Sequence, residues 1–156
     1  MMPSSSPSTA NAPAELAIRP RPDEIGRASL WLERACREQA IPAPEMNRLD
    51  VCMNEALANI MFHGGPAALS SRITLRLEVI RDDDAIEAVV TTSDYGQQFN
   101  PLALPPRIPP KSLADAESGG LGLVMIRSYA DTLSYQHRDG RNQLSFCVRW
   151  AEPAAG

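Results

Sequence analysis

Asn54-Glu55-Ala56-Leu57-Ala58-Asn59-Ile60-Met61-Phe62-His63-Gly64 is the stretch that decides the fold. Around it, Met46, Leu49, Met53, Ala56, Leu57 and Ile60 recur with the 3.6-residue period of a helix that lays one face on a sheet. That helix is expected from about Pro44 to His63, with Gly64-Gly65-Pro66 ending it. Beside the apolar stripe, a rotation of about 100° per residue lines up Arg48, Cys52, Glu55, Asn59 and His63, so Glu55 and Asn59 stand one turn apart. A carboxylate able to take a proton from a hydroxyl, next to an amide oxygen able to hold magnesium, suits phosphoryl transfer. Taken alone, the same pair also suits an ordinary solvated helix face.

Upstream, Glu15 to Arg19 reads as a short strand, and Pro22-Asp23-Glu24 opens a helix to about Gln39, with proline in its first turn and acids at its positive end. Leu30 and Trp31, with Arg27 and Arg34, mark that helix either as a dimer or partner surface or as an ordinary packed helix with one solvated face. Downstream, Arg72 to Ile80 and Ala85 to Thr92 read as a hairpin turning at Asp82-Asp83-Asp84. Thr132 to His137 and Asn142 to Trp150 form a second hairpin around Arg138-Asp139-Gly140. Between the hairpins, Asp94 to Gly120 is proline-rich and aperiodic, a loop long enough to be a functional lid, and a helix is expected from about Gly122 to Ala130.

Two more segments carry chemistry. In Thr91-Thr92-Ser93-Asp94-Tyr95-Gly96 a strand delivers a carboxylate to its end and a glycine allows a flat ligand to approach. Such an aspartate accepts a hydrogen bond from an exocyclic amine, although Asp and Gly also serve simply as turn residues. In Ser118-Gly119-Gly120-Leu121-Gly122-Leu123 glycines run into a helix, where free N–H groups and the helix dipole favour an anion; a lid hinge is the other explanation. The glycine spacing is not that of a Rossmann turn, and no Gly-Lys-Ser/Thr ending makes it a P-loop.

In their order, Asn54 to Gly64, Asp94-Tyr95-Gly96-Gln97-Gln98-Phe99-Asn100-Pro101 and Gly119-Gly120-Leu121-Gly122-Leu123-Val124-Met125-Ile126-Arg127 resemble the N, G1 and G2 boxes of the GHKL ATPases. More specifically, the chain resembles the stand-alone anti-sigma-factor serine kinases of the RsbW-like family, whose helix reads E-A-x-x-N-x-x-x-H-G, from about Glu15 to Trp150. The resemblance implies an α/β (α+β) two-layer sandwich of the Bergerat type, a mixed and mostly antiparallel sheet with helices on one face. It implies ATP and Mg2+ as cofactors, with Asn59 on the metal, Asp94 on the adenine amino group and Gly96 lining the base pocket. Gly119, Gly120, Leu121 and Gly122 would cradle the phosphates, and Glu55 matches the family's general base. It further implies phosphorylation of a serine on a STAS-type anti-sigma antagonist, an alternative complex with a sigma factor, and a homodimer.

One position departs from the family's D-x-G-x-G pattern: Gln98 replaces the second glycine and removes backbone freedom beside the nucleotide. A nucleotide-gated binding module without phosphotransfer is therefore the second reading. A histidine-kinase catalytic domain shares the boxes, but no dimerising hairpin with a phosphoacceptor histidine is read here. His63 is expected to hydrogen-bond near the helix end and His137 to lie at the surface of a strand end, while Arg107 and Lys111 either reach phosphates or are simply solvated.

Composition agrees with this class. At 156 residues, 44% hydrophobic and 22% charged, the chain is one domain that buries a core without disulfide or metal. A net charge of −4 gives no footprint for direct nucleic-acid binding. Cys36, Cys52 and Cys147 are odd in number and sit in apolar segments, as reduced thiols of a cytoplasmic protein do. Residues 1–13, rich in Ser, Pro and Ala, are expected to be a disordered tail preceding a domain at 14–152. Neither a leader peptide nor a membrane anchor is read there, and no stretch approaches the roughly 20 apolar residues of a membrane helix.

Overall fold

The computed structural model describes residues 8–9, 12–98, 100 and 126–152. Two helices, α1 (Ile25–Glu38) and α2 (Ala43–His63), cover one face of a sheet built from β2 (Ala14–Ile18), β3 (Ile73–Arg81), β4 (Ile86–Asp94), β5 (Thr132–Arg138) and β6 (Arg141–Trp150), with the two-residue β1 (Ser8–Thr9) beside β3. From one edge the order is β1, β3, β4, β6, β5, and β2 also pairs with β3. Every described pairing is antiparallel, so the parallel component implied by a mixed sheet does not occur among the described residues.

Period-2 alternation builds the core. On β3, Ile73, Leu75, Leu77 and Val79 are buried while Arg76 between them is exposed. Val90 and Phe146 continue that face on β4 and β6. Leu32, Ala35, Leu49, Met53, Ala56 and Leu57 come down from the helices to meet it. Truncating one of the fully buried leucines to alanine costs about 2–5 kcal/mol in such packing.

The two expected hairpins are present, with turns chosen by local chemistry. Asp82 Oδ1 accepts the N–H groups of Asp84 (2.8 Å) and Ala85 (3.0 Å). Asp139 and Gly140 both take positive φ, the conformation of a two-residue hairpin turn that follows the strand twist.

Helix boundaries differ from expectation at two places, the start of α1 and the end of α2. Pro22–Glu24 forms a 3-10 turn, and α1 proper begins at Ile25. α1 ends in a Schellman arrangement, with Ile41 N–H on the Cys36 carbonyl (2.9 Å) and Ala40 at φ 58°, a conformation that favours glycine. Beyond α2 the chain does not go straight to β3: a break at Gly65 (φ 72°) starts a further short helix, α3 (Gly65–Leu69).

On α1, Leu30 is 67% exposed while Trp31 packs against the core. All three cysteines are free and buried, and burial pushes the thiols of Cys36 and Cys52 up to about 12 and about 11. They are inert packing residues at neutral pH. No described helix is long and apolar enough to cross a membrane.

Candidate functional site

β4, β5, β6 and the C-terminal half of α2 form a cleft, open to solvent, lined by Ala56, Asn59, Ile60, His63, Gly64, Thr92, Asp94, Gln97, Tyr135, Asn142 and Leu144. The period of α2 puts Ala56, Asn59, Ile60 and His63 on one side of it, and the antiparallel register of β4 and β6 sets Asp94 directly opposite Asn142 on the floor.

Asp94 is buried, and its two oxygens are treated differently. Oδ1 accepts the Gly96 N–H (2.9 Å) and the Asn142 amide (3.2 Å). Oδ2 has no hydrogen bond to the described residues, and Asp94 lines the cleft. Burial pushes the carboxyl above the ordinary carboxylate value, against the opposing pull of the Gly96 N–H, the Asn142 amide and the nearby His137.

The loop after Asp94 is clamped on both sides. Gln97 N–H donates to the Gly64 carbonyl (3.0 Å) and Gln97 Nε2 to the His63 carbonyl (2.9 Å), tying the loop to the end of α2. Asn142 Nδ2 reaches the carbonyls of Gly96 (3.2 Å) and Gln97 (3.0 Å) from β6. Gly96 packs closely against the end of α2: a Cβ there would meet Gly64 Cα and O at 2.9 Å each and Asp94 Oδ1 at 2.8 Å. Gln98 is exposed and is not among the residues with positive φ, so the missing second glycine leaves no backbone strain.

Along α2 the row of Arg48, Cys52, Glu55, Asn59 and His63 forms as expected, and its first members grip the segment that follows the glycine run. Arg48 Nε donates to the Tyr129 carbonyl (2.8 Å), Arg48 Nη2 to Asp131 (3.0 Å), and the Cys52 thiol points at the Ile126 carbonyl (3.8 Å) at the start of the helical residues 126–129. Asn59 is half-buried in the cleft wall and makes no hydrogen bond to the described residues. Glu55, one turn back, is also half-buried but does not line the cleft that the described residues form. Gly119, Gly120, Leu121 and Gly122, with Arg107 and Lys111, lie outside the described residues.

This arrangement fits a purine nucleotide: a buried carboxylate with one oxygen lacking a described donor, apolar walls from Ala56, Ile60 and Leu144, and an unengaged amide at Asn59. Among the described residues no group of three or more His, Cys, Asp and Glu gathers to hold a metal. An ion here would rest on few protein groups and on phosphate oxygens, as magnesium does.

Tyr135 and Asn142 belong to the site although the sequence marks neither as functional, and Gly64, which closes the N-box stretch, lines it as well. Gly64 reads as a helix terminator, and Asn142 carries only the signal of a polar residue just after a tight turn.

A family model described as the histidine kinase-like ATPase domain matches residues 18–148. The chain is 37% identical over 123 residues to the serine/threonine-protein kinase BtrW of Bordetella bronchiseptica, covering 76% of this chain and 80% of that one. It is 23% identical over 130 residues to the serine-protein kinase RsbW of Bacillus subtilis, covering 81% and 79% respectively. Among solved structures, the RsbU and RsbW domains of a Mycobacterium tuberculosis protein superpose with a TM-score of 0.65 at 14% identity, over 92% of this chain. This chain spans 34% of that longer protein, and the likeness is one of fold.

Proposed function

Because the chain belongs to the histidine kinase-like ATPase family, alongside the RsbW-like protein-serine kinases, we propose that it is an ATP-dependent protein-serine/threonine kinase that acts as an anti-sigma factor in a partner-switching system. Its substrate is a serine on a STAS-type anti-sigma antagonist; its alternative partner is a sigma factor, held by a homodimer in the cytoplasm.

One observation carries the nucleotide part of this assignment. Asp94, buried with one oxygen lacking a described donor, and Asn59, with an unengaged amide, face one cleft from a strand end and a helix, and Glu55 stands one turn from Asn59. Asp94 takes the exocyclic amine of the base, and Asn59 is the residue that would hold magnesium, which when bound would offset charge on the phosphates. Glu55 orients or deprotonates the serine hydroxyl, and Gly119, Gly120, Leu121 and Gly122 hold the phosphate end.

The test is transfer of labelled γ-phosphate from Mg-ATP to the STAS-type proteins of the same genome, with Glu55→Gln in parallel. Label on a serine of one of them, at least about 100-fold slower with the variant and with ATP affinity kept, is the expected result. Equal rates would remove Glu55 as the base. That Glu55 stands outside the cleft wall formed by the described residues favours a second reading, a nucleotide-gated binding module. ATP binding with no label on any such protein would establish it.

A further inference from the structure

Asn142 belongs to none of the three nucleotide boxes, yet its amide joins every part of the cleft floor. Its Nδ2 faces three atoms that only accept: Asp94 Oδ1 (3.2 Å), the Gly96 carbonyl (3.2 Å) and the Gln97 carbonyl (3.0 Å). That environment fixes the amide's orientation by chemistry, since the flipped side chain would set oxygen against three oxygens. Asn142 Oδ1 then points at the Tyr135 hydroxyl, which must donate to it. Tyr135 is half-buried in the cleft wall, and Asn142 is buried.

We propose that Asn142, oriented by Tyr135, is a positioning residue that makes the cleft select a purine with an amino group at its six position over one with a carbonyl there. The inference rests on the nucleotide reading of the cleft. The donors from Asn142 and the Gly96 N–H both fall on Oδ1, so Asp94 stays an acceptor and turns Oδ2 to the ligand. An amino group donates to Oδ2; a carbonyl sets lone pair against lone pair, and an unmade bond at a buried site weakens binding by about 10- to 100-fold. Replacing the amide nitrogen by oxygen sets a second carboxylate about 3 Å from Asp94, where the pair shares one proton. That proton lies between the two groups on the Oδ1 side, so the fixed donor that held Asp94 is gone, Oδ2 is no longer kept turned to the ligand, and the discrimination falls.

The experiment measures binding of ATP and of inosine triphosphate to the whole chain and to Asn142→Asp and Tyr135→Phe. The unaltered protein is expected to prefer ATP by about 100-fold. The ratio is expected to fall below about 10-fold in Asn142→Asp and by about 3-fold in Tyr135→Phe, which loses only the hydroxyl that orients the amide. Should Asn142→Asp fail to fold, Tyr135→Phe decides, because it removes one atom from the cleft wall. Equal weakening of both nucleotides, or no preference in the unaltered protein, overturns the inference and gives Asn142 a structural role only. An unaltered protein that binds neither nucleotide overturns the nucleotide reading instead.

Discussion

Asp94 and Asp131 flank the same row of α2, one near its C-terminal end and one near Arg48, and their surroundings are opposite. Asp131 uses both oxygens: Oδ1 takes Arg48 Nη2 (3.0 Å) and Oδ2 takes the Arg149 N–H (2.6 Å). Burial raises its carboxyl, but the Arg149 N–H and the Arg48 guanidinium outweigh it and leave the group below the ordinary carboxylate value. Asp94 is more buried, receives both of its donors on one oxygen, and is held above that value. A satisfied carboxylate strengthens a scaffold. A half-satisfied one in a cleft costs stability until a ligand supplies the missing donor, and that contrast is why Asp94 rather than Asp131 is the acid proposed to meet the nucleotide.

The severest way to break the contrast is through the backbone that shapes it. Gly96→Ala drives a methyl group into the Asp94 carboxylate (Oδ1 at 2.8 Å) and into Gly64 Cα and O at 2.9 Å each, the latter being backbone that cannot give way as a flexible side chain would. Titration calorimetry is expected to detect no nucleotide binding, and thermal melts a loss of about 1–3 kcal/mol. Near-normal affinity would mean that the contact of Gly96 with Gly64 does not position Asp94.

Asp94→Asn tests the contrast at its centre. The new side chain keeps an oxygen for the Gly96 N–H and the Asn142 amide and turns an NH2 toward the cleft where the base amine would donate. ATP affinity is expected to fall by about 100-fold. At neutral pH the ligand-free protein is expected to melt no lower than the unaltered one, since a buried charge has gone. A variant that loses both affinity and stability would make Asp94 a scaffold residue like Asp131.

The sequence made one side of this contrast legible and not the other. The stripe from Met46 to Ile60 told the sheet-facing side of α2, and the Asp82 and Asp139-Gly140 turns told both hairpins, because period and turn chemistry are local properties. Asp94 stood out as a carboxylate at a strand end before a glycine. Its partner Asn142 did not, because β4 and β6 pair across the whole segment between the hairpins, and periodicity assigns faces without assigning neighbours. Gly64 was hidden by its own plausibility: a glycine ending a helix needs no second reason, and the near-contact with Gly96 exists only once α2 lies on the sheet. The apparent defect at Gln98 vanished for the same reason, since only the backbone angle tells whether glycine is required there.

Asp131→Asn should move stability and leave binding alone. An amide can present its oxygen to only one of the two donors, so its NH2 opposes either Arg48 or the Arg149 N–H. About 1–3 kcal/mol is expected to be lost, a fall of about 2–4 °C in Tm per kcal/mol, with ATP affinity within about 2-fold. A larger affinity loss would mean that the grip of Arg48 on residues 129 and 131 reaches the nucleotide.

The smallest expected effect is a pair of slopes against pH in the ligand-free protein. Asp94 has its native pKa above the ordinary value, so within that interval the native chain binds more protons than the unfolded one. Its contribution to stability therefore falls as pH rises through the interval and is constant above it. Asp131 has its native pKa below the ordinary value, so the unfolded chain binds more protons there, and its contribution is complete above the ordinary value and lost as pH falls through the native one. Melting curves between about pH 3 and pH 7 should accordingly show the gap between Asp94→Asn and the unaltered protein widening in the variant's favour as pH rises. The gap for Asp131→Asn should widen in the opposite sense. Parallel curves for both variants would mean that the two carboxylates have the same character, and the distinction between an acid kept for a ligand and an acid spent on the scaffold would fall with it.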